Sequence, residues 1–501
     1  MVLFSDGQSV STINRSSRRF VHRVINIHRF PEITRRDKGQ NSQYHEETCS
    51  VSGKIEVNPR EIREQWVILI KDKMEKALKD VTTSSWDKLC IYRVPHYLQE
   101  NDKKSYFPQT VSLGPYHHGN KHLLPMECHK WRAVNMVLKR TELGIEIYMD
   151  AMKELEEMAR ACYQGPIEMS NYEFTEMLVL DGCFVLELFK GTIDGFQEIG
   201  YAPNDPVFAT RGLMHSIQRD MVMLENQLPL FVLDRLLELQ LGTQYQIGLV
   251  AQLAVQFFDP LMPTGEELTK KNKLKSKLKS VCSPSDNGES HCLDVFHRSL
   301  FSTPNPKSPT YISSRKQQLI HCVTELREAG IKFRRKETDQ LWDIEFKKGY
   351  LKIPKLLIHD GTKSLFSNLI AFEQCHIHSS NNITSYILFM DNLINSAEDV
   401  SYLHHCGIIE HWLGSDSEVA DLFNRLCKEV IFDPKDSYLS QLSGEVNRYY
   451  SRKWNSLKAT LRHKYFNNPW AYFSFSAAVI LLFLTFSQSF YAVYAYYRPS
   501  S

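Results

Sequence analysis

Apolar residues recur three and four positions apart through most of this chain, a spacing typical of amphipathic α-helices. The pattern begins near Pro59. Ser170 and Glu173 form a capping box ahead of one stripe and predict where its helix starts. The stripes of the first three predicted helices are Ile62, Trp66, Leu69, Ile70, Met74 and Ala77; Ile145, Tyr148, Met152, Leu155 and Ala159; and Phe174, Met177, Leu178, Val185 and Leu188.

Further along, the same spacing predicts one helix through Leu213, Ile217, Met221, Leu224 and Leu228. Pro229 interrupts or kinks this helix before the pattern resumes over 230–239, because proline removes a backbone donor and clashes with the preceding turn. Helical spacing returns over 365–430, and a last long helix is predicted from 439 to 461.

Three stretches depart from helical spacing. Residues 86–125 are rich in proline, glycine and aromatic residues and predict a long ordered loop. Residues 260–315 predict a loop insertion, and alternating apolar positions near 331–358 predict a small β element. The fold class is therefore mainly α, with a multi-helix domain over 59–465.

The segment 470–497 contains no charged residue. As a helix, its 28 residues would rise about 42 Å, more than the roughly 30 Å hydrocarbon core of a bilayer. Trp470 and Tyr497 fall where interfacial aromatic residues belong, between the flanking charges of Lys464 and Arg498. We predict one transmembrane helix; the alternative is a buried core helix.

Basic residues are unequally distributed about this span. Only Arg498 follows it, whereas six precede it: Arg448, Arg452, Lys453, Lys458, Arg462 and Lys464. Cytoplasmic flanks carry the excess of Lys and Arg. With no signal-peptide pattern at the start, we expect a single-pass C-terminal anchor in the plasma membrane or an endomembrane, and a cytosolic bulk domain.

The remaining composition mainly excludes classes of function. Sixty basic and 58 acidic residues leave a formal charge of +2, which argues against a nucleic-acid partner. The basic segment 1–58 predicts a disordered arm, although its arginines and serines also resemble an organelle transit peptide. The eleven cysteines lack zinc-finger spacing and predict free thiols.

Two groups of residues could carry chemistry. Glu225, Asn226 and Gln227 interrupt an apolar helix just before Pro229, and Asp181 lies on another apolar stripe. They form either a buried hydrogen-bond network or a pair of carboxylates for general acid–base catalysis. The histidines form three close pairs: His117 and His118, His376 and His378, and His404 and His405. Each pair lacks partners at metal-site spacing, so we predict no metal and no cofactor.

Several motifs resemble the plant family called domain of unknown function 247. They are Leu89 to Pro95, Tyr106 to Gly119 (with Gly114, Pro115, Tyr116 and His117), Leu124 to Arg132, Leu224 to Pro229, Glu325 to Gly330, and Asn368 to Gln374. The resemblance covers about 66–497. It implies a membrane-anchored plant protein with no established enzymatic activity, some relatives of which take part in reproductive recognition.

Two functional hypotheses follow from these observations. The first is a non-enzymatic module, anchored in the lipid bilayer, that binds another protein through exposed apolar patches, for example between Tyr92 and Tyr116. The second is an unrecognised enzyme that uses Asp181, Glu225 or a histidine pair. Sealed carboxylates would weigh against the enzyme, and an open pocket against the interaction module.

Overall fold

The computed structural model describes residues 64, 66–75, 88–100, 102–261, 291–301, 319–338, 340–376, 379–433, 437–451 and 469–497. The predictions for the arm 1–58, Lys464 and Arg498 lie outside these residues. The chain divides into two compact units, 1–76 and 77–501. In the first unit, residues 66–75 are helical, as the spacing around Trp66 predicts.

The first half of the larger unit is helical and confirms the mainly α fold class. Short turns of 3₁₀-helix cover Lys103–Tyr106, Gly242–Gln244 and Asp259–Leu261. The α-helices are α1 His96–Gln99, α2 Leu124–Thr141, α3 Ile145–Arg160, α4 Asn171–Asp194, α5 Arg211–Met221, α6 Leu230–Leu241 and α7 Leu249–Phe257.

Helix α4 is the centre of this half. The predicted capping box is present: the Ser170 hydroxyl accepts from the Glu173 backbone N–H while the Glu173 carboxylate accepts from the Ser170 N–H. Nearly all its side chains from Phe174 to Gly191 are buried, and α2, α3, α6 and α7 pack around it. Such all-round burial explains why the α4 sequence is apolar on every face rather than on one stripe.

The second half contains helices α8 Cys292–Leu300, α9 Val323–Glu328, α10 Asp360–Cys375, α11 Asn382–Leu393, α12 Ala397–His405, α13 Asp416–Leu426 and α14 Ser440–Tyr450. Its strands are β1 Lys332–Lys336, β2 Glu345–Lys347, β3 Tyr350–Pro354, β4 Leu356–Ile358 and β5 Ile409–His411. Strand β3 lies between β1, its parallel neighbour, and β2, its antiparallel neighbour, while β4 pairs in parallel with β5. The β element predicted near 331–358 is confirmed, and one hydrophobic core runs through both halves.

Two sequence-based predictions need correction. Helix α5 ends at Met221, so the prediction that this helix continues to Leu228 is wrong. Part of the interval predicted as loop, Cys292–Leu300, is the buried helix α8. Its apolar positions Leu293, Val295, Phe296 and Leu300 are too few to stand out in sequence, and tertiary burial decides their conformation. Residues 262–290 and 302–315 of that interval lie outside the described residues.

Helix α15 spans Pro469–Tyr497. Its segment Phe473–Val493 is long and apolar enough to cross a membrane, and none of that segment is buried. Leu482, Phe483 and Phe486 are each more than 70% exposed, and the side chain of Trp470 is 75% exposed. A core helix would bury these groups, so the core-helix alternative does not fit this conformation.

Candidate functional site: a buried polar network

Residues 222–229 form an irregular connection between α5 and α6, and their polar side chains replace helical hydrogen bonds. The Gln227 amide donates to the carbonyls of Met221 and Met223, both at 2.7 Å. The Asn226 amide donates to the Asp220 carbonyl at 2.9 Å. Because α5 ends at Met221, none of these carbonyls accepts from the N–H four residues on, as in a continued helix, and the side-chain amides supply donors instead. Polar side chains here do satisfy backbone groups, as one of the two sequence-based interpretations holds.

The same side chains hold the loop that precedes α2. The Asn226 carbonyl oxygen accepts from the Leu113 N–H at 2.7 Å, and its amide also donates to the Val111 carbonyl at 3.1 Å. The Asp220 carboxylate accepts from three successive N–H groups, those of Gln109, Thr110 and Val111, at 2.9, 2.5 and 3.1 Å. The loop backbone is thus fixed by side chains more than a hundred residues away.

Asp181 ends on the same loop but does not pair with Glu225. Its Oδ2 accepts from the Gly114 N–H at 2.8 Å, and its Oδ1 accepts from Lys130 Nζ at 2.6 Å. Lys130 is fully buried and also reaches the Ser112 carbonyl and the Glu127 carboxylate, both at 2.6 Å. Burial alone lowers the pKa of the Lys130 ammonium, but the Asp181 and Glu127 charges outweigh it and raise that pKa.

Gly114 is required at the point where this loop meets residue 227. Its φ is +71°, in the left-handed region, and a Cβ built there would lie 2.6 Å from the Gln227 carbonyl oxygen. That oxygen already accepts from the Tyr163 hydroxyl at 3.0 Å. Only glycine tolerates both the backbone angle and the close approach.

Glu225 and His117 form the least satisfied part of the network. Glu225 Oε1 accepts from the Val94 N–H at 2.7 Å and the Gln99 amide at 3.2 Å. Its Oε2 lies 3.8 Å from His117 Nε2, beyond hydrogen-bond reach, and that nitrogen has no partner. Burial raises the pKa of Glu225 and lowers that of His117 to about 4. Both groups are more than nine-tenths buried.

The other family-motif residues have structural places nearby. The Tyr116 hydroxyl donates to the carbonyls of Ile91 and Gln164, and Arg93 lies 4.1 Å above its ring. Pro95 is the N-cap of α1, and Pro229 is the N-cap of α6. Pro115 is half-buried beside Gly114.

The predicted histidine pairs do not act as pairs. His117 is buried whereas His118 is exposed, and His404 and His405 are both exposed. His376 Nε2 lies 2.9 Å from the Cys90 carbonyl, and His378 lies outside the described residues. Across the described ranges, no three His, Cys, Asp or Glu side chains are grouped so that they could hold a metal ion.

Sequence reasoning gave no role to several residues of the network. Lys130 had a signal: it falls on the buried stripe of α2, between Met126 and Val134. Glu373 had no such signal. Its carboxylate accepts from the N–H groups of Ile383 and Thr384 at the start of α11, and it lies 2.8 Å from His297 Nε2. These partners are distant along the chain or belong to another element, so no local pattern reveals them.

These observations define a class of protein: a helical domain around a sealed polar network, followed by an exposed apolar helix. The chain belongs to the plant family of unknown function DUF247, whose model, described as "Plant protein of unknown function", matches residues 91–484. The sequence-based resemblance is thereby confirmed.

Two curated proteins of Arabidopsis thaliana are similar over most of their length. The UPF0481 protein At3g47200 is 34% identical over 424 residues, which cover 81% of this chain and 87% of that protein. The putative UPF0481 protein At3g02645 is 24% identical over 519 residues, covering 86% and 95%. No solved structure matches this chain.

Proposed function

We propose that this chain is a single-pass membrane-anchored protein whose helical domain binds another protein and catalyses no reaction. The observation that carries the proposal against catalysis is the burial of the candidate carboxylates, with Oε1 of Glu225 and both oxygens of Asp181 already hydrogen-bonded. Asp181 is held by Lys130 and the Gly114 N–H, and Glu225 by the Val94 N–H and Gln99. A general acid or base must reach the proton it transfers, and these groups face the core.

Anchoring is supported by the exposed apolar surface of α15. Apolar area left in water is unfavourable by roughly 25 cal/mol per Å². A helix with Leu481, Leu482, Phe483 and Leu484 all more than half exposed therefore needs a nonpolar environment. A bilayer core provides one along the whole of Phe473–Val493. The excess of basic residues before the span favours a cytosolic helical domain.

Partner binding is supported by an exposed stripe on α2. Leu124 and Trp131 are 49% and 48% exposed, and the exposed Cys128 lies between them, so the three follow the i, i+4, i+7 spacing of one helix face. Large aromatic residues near the centre of a patch dominate many protein interfaces. In the patch expected between Tyr92 and Tyr116, Tyr106 is buried and Tyr92 and Tyr116 are half-buried, whereas Tyr97 and Phe107 are each 37% exposed.

Membrane anchoring and orientation are tested together in microsomes. The full chain, tagged at its N-terminus, should resist alkaline carbonate extraction, while a chain that ends at residue 468 should be released. Protease added outside intact microsomes should digest the tag. Extraction of the full chain would refute the anchor, and a protected tag would refute the cytosolic orientation.

The interaction hypothesis is tested with a photo-crosslinking amino acid placed at Trp131 and, as the matched control, at the exposed Lys153 of α3. Position 131 should give an adduct of defined mass in plant cells, and position 153 should not. Equal adducts at both positions, or none at 131, would contradict a contact through the α2 stripe.

A further inference from the structure

The sheet of β1, β2 and β3 has two faces of different chemistry. Phe333 and Leu351 lie on the inner face and are buried. Side chains alternate along a strand, so the neighbouring residues point to the other side. The register pairs Lys332 with Tyr350 and Arg334 with Lys352. The basic sheet face consists of Lys332, Arg334, Lys336, Lys347 and Lys352, together with Lys348 in the turn that follows β2.

This face carries an excess of positive charge. Its six basic groups meet two nearby carboxylates: Asp343 lies 2.7 Å from Lys336, and Glu345 lies 3.5 Å from Lys352. Lys332, Arg334, Lys347 and Lys348 are exposed, and no carboxylate of the described residues forms an ion pair with them. The face therefore has a net charge of about four, an excess that attracts anionic partners.

An aromatic ring lies at the centre of the face. The Arg334 guanidinium lies 4.4 Å and Lys332 Nζ 5.4 Å from the centroid of the Tyr350 ring. These contacts hold both cations at the surface of the sheet rather than free in solvent. A basic surface around a tyrosine is chemically suited to the headgroup layer of a membrane, where tyrosine is enriched and anionic lipids attract Lys and Arg.

The path of the chain connects this face to the apolar helix. Helix α14 packs against the sheet through Tyr449, whose ring lies 5.6 Å from that of Phe346. Gly349 (φ +78°) permits the contact, because a Cβ there would lie 2.7 Å from the Tyr449 hydroxyl. From the end of α14 at Tyr450 to the start of α15, the chain can span at most about 65 Å when fully extended. The sheet thus stays within reach of any membrane that α15 enters.

We propose that the basic sheet face binds anionic phospholipid headgroups of the membrane that holds α15. The inference rests on the proposed membrane anchoring and adds a second, electrostatic contact to it. Each Lys or Arg near an anionic surface adds to the attraction, which fades beyond a screening length of roughly 10 Å. Lipid is favoured over an acidic protein because the tether keeps a bilayer within about 65 Å of the face, which gives the lipid a high effective concentration there.

The test uses the full chain in nanodiscs made either of phosphatidylcholine or of phosphatidylcholine with phosphatidylserine. Lysines are acetylated for a short time and located by mass spectrometry. Lys332, Lys347 and Lys348 should react several-fold more slowly when phosphatidylserine is present, and high salt should remove the difference. Lys139 of α2 and Lys153 of α3, both exposed, serve as internal controls and should not change.

A matched pair of variants isolates the electrostatic contribution. Lys332→Glu with Arg334→Glu should abolish the phosphatidylserine-dependent protection of Lys347, whereas Lys139→Glu with Lys153→Glu should preserve it. Equal labelling in the two lipids overturns the proposal. So does protection that appears only when an acidic protein is added in place of phosphatidylserine.

A failure of the anchoring is recognised separately, because the chain then does not incorporate into either nanodisc. In that event, the same labelling with added phosphatidylserine vesicles still tests whether the basic sheet face binds anionic lipid. Slower reaction of Lys332, Lys347 and Lys348 would support it, and unchanged reaction would overturn it.

Discussion

Replacing Lys130 by methionine tests whether the buried network stabilises the fold. Lys130 is fully buried, and its ammonium lies 2.6 Å from each of Asp181, Glu127 and the Ser112 carbonyl. Lys130→Met keeps most of the side-chain volume but removes the charge. Asp181, itself completely buried, then keeps a single hydrogen-bond donor, the Gly114 N–H.

The structure sets the size of the effect. Removing one partner of a buried ion pair leaves an uncompensated charge and costs about 3–5 kcal/mol of the free energy of unfolding. The matched control is Lys139→Met, one of the exposed positions of the same helix, where a surface change alters stability by at most about 0.5 kcal/mol. The double variant Lys130→Met, Asp181→Asn should recover part of the loss, because a neutral amide oxygen still accepts from Gly114.

The assay is urea unfolding of the full chain in detergent micelles, followed by tryptophan fluorescence. Asp181 loses the cation that lowers its pKa, so its carboxyl is protonated more readily in the folded variant. The folded variant then binds more protons than the unfolded chain, and its deficit should shrink as pH falls from neutral towards 5. A loss below about 1 kcal/mol, or a double variant no more stable than the single one, would refute a stabilising buried pair.

Three further predictions concern single positions. Gly114→Ala should destabilise the fold by at least 1 kcal/mol more than Gly119→Ala, because both have positive φ but only residue 114 meets the Gln227 carbonyl; equal urea midpoints would contradict this. His117→Phe should make the fold less sensitive to acid. The pKa of His117 is near 4 in the folded protein against 6.5 unfolded, so the free energy of unfolding falls by about 3 kcal/mol as pH falls across that window, and the Phe variant should lack this loss. Unfolding curves with the same pH dependence in both proteins would contradict the prediction. Glu373→Gln should cost about 1–3 kcal/mol, because the amide keeps one acceptor oxygen and leaves one of the two N–H groups at the start of α11 unpaired; faster amide exchange there measures it.

Local patterns were sufficient for several regular elements of this protein, although they missed α8. Helical spacing predicted α3 and α4, and the Ser170 capping box fixed the start of α4. Alternation predicted the β element, because the alternation of buried and exposed positions can be read from each strand's own sequence. Patterns failed at 222–229, where apolar spacing continues through Leu224 and Leu228 although the backbone is not helical. There the side chains of Asn226 and Gln227 satisfy the backbone instead of the helical ladder.

The sequence by itself determined the fold class, the uncharged span near residues 470–497 and the family, since each depends on residues that are close together or on motifs read directly. Only the tertiary structure decided what the polar motif residues do. Asp181 contacts Lys130, Asp220 holds the backbone at Val111, and Asn226 holds it at Leu113. A hydrogen bond depends on where two groups lie in space, and these pairs are separated by 51 to 113 residues along the chain. Packing of the helices around α4 brings them together and buries them.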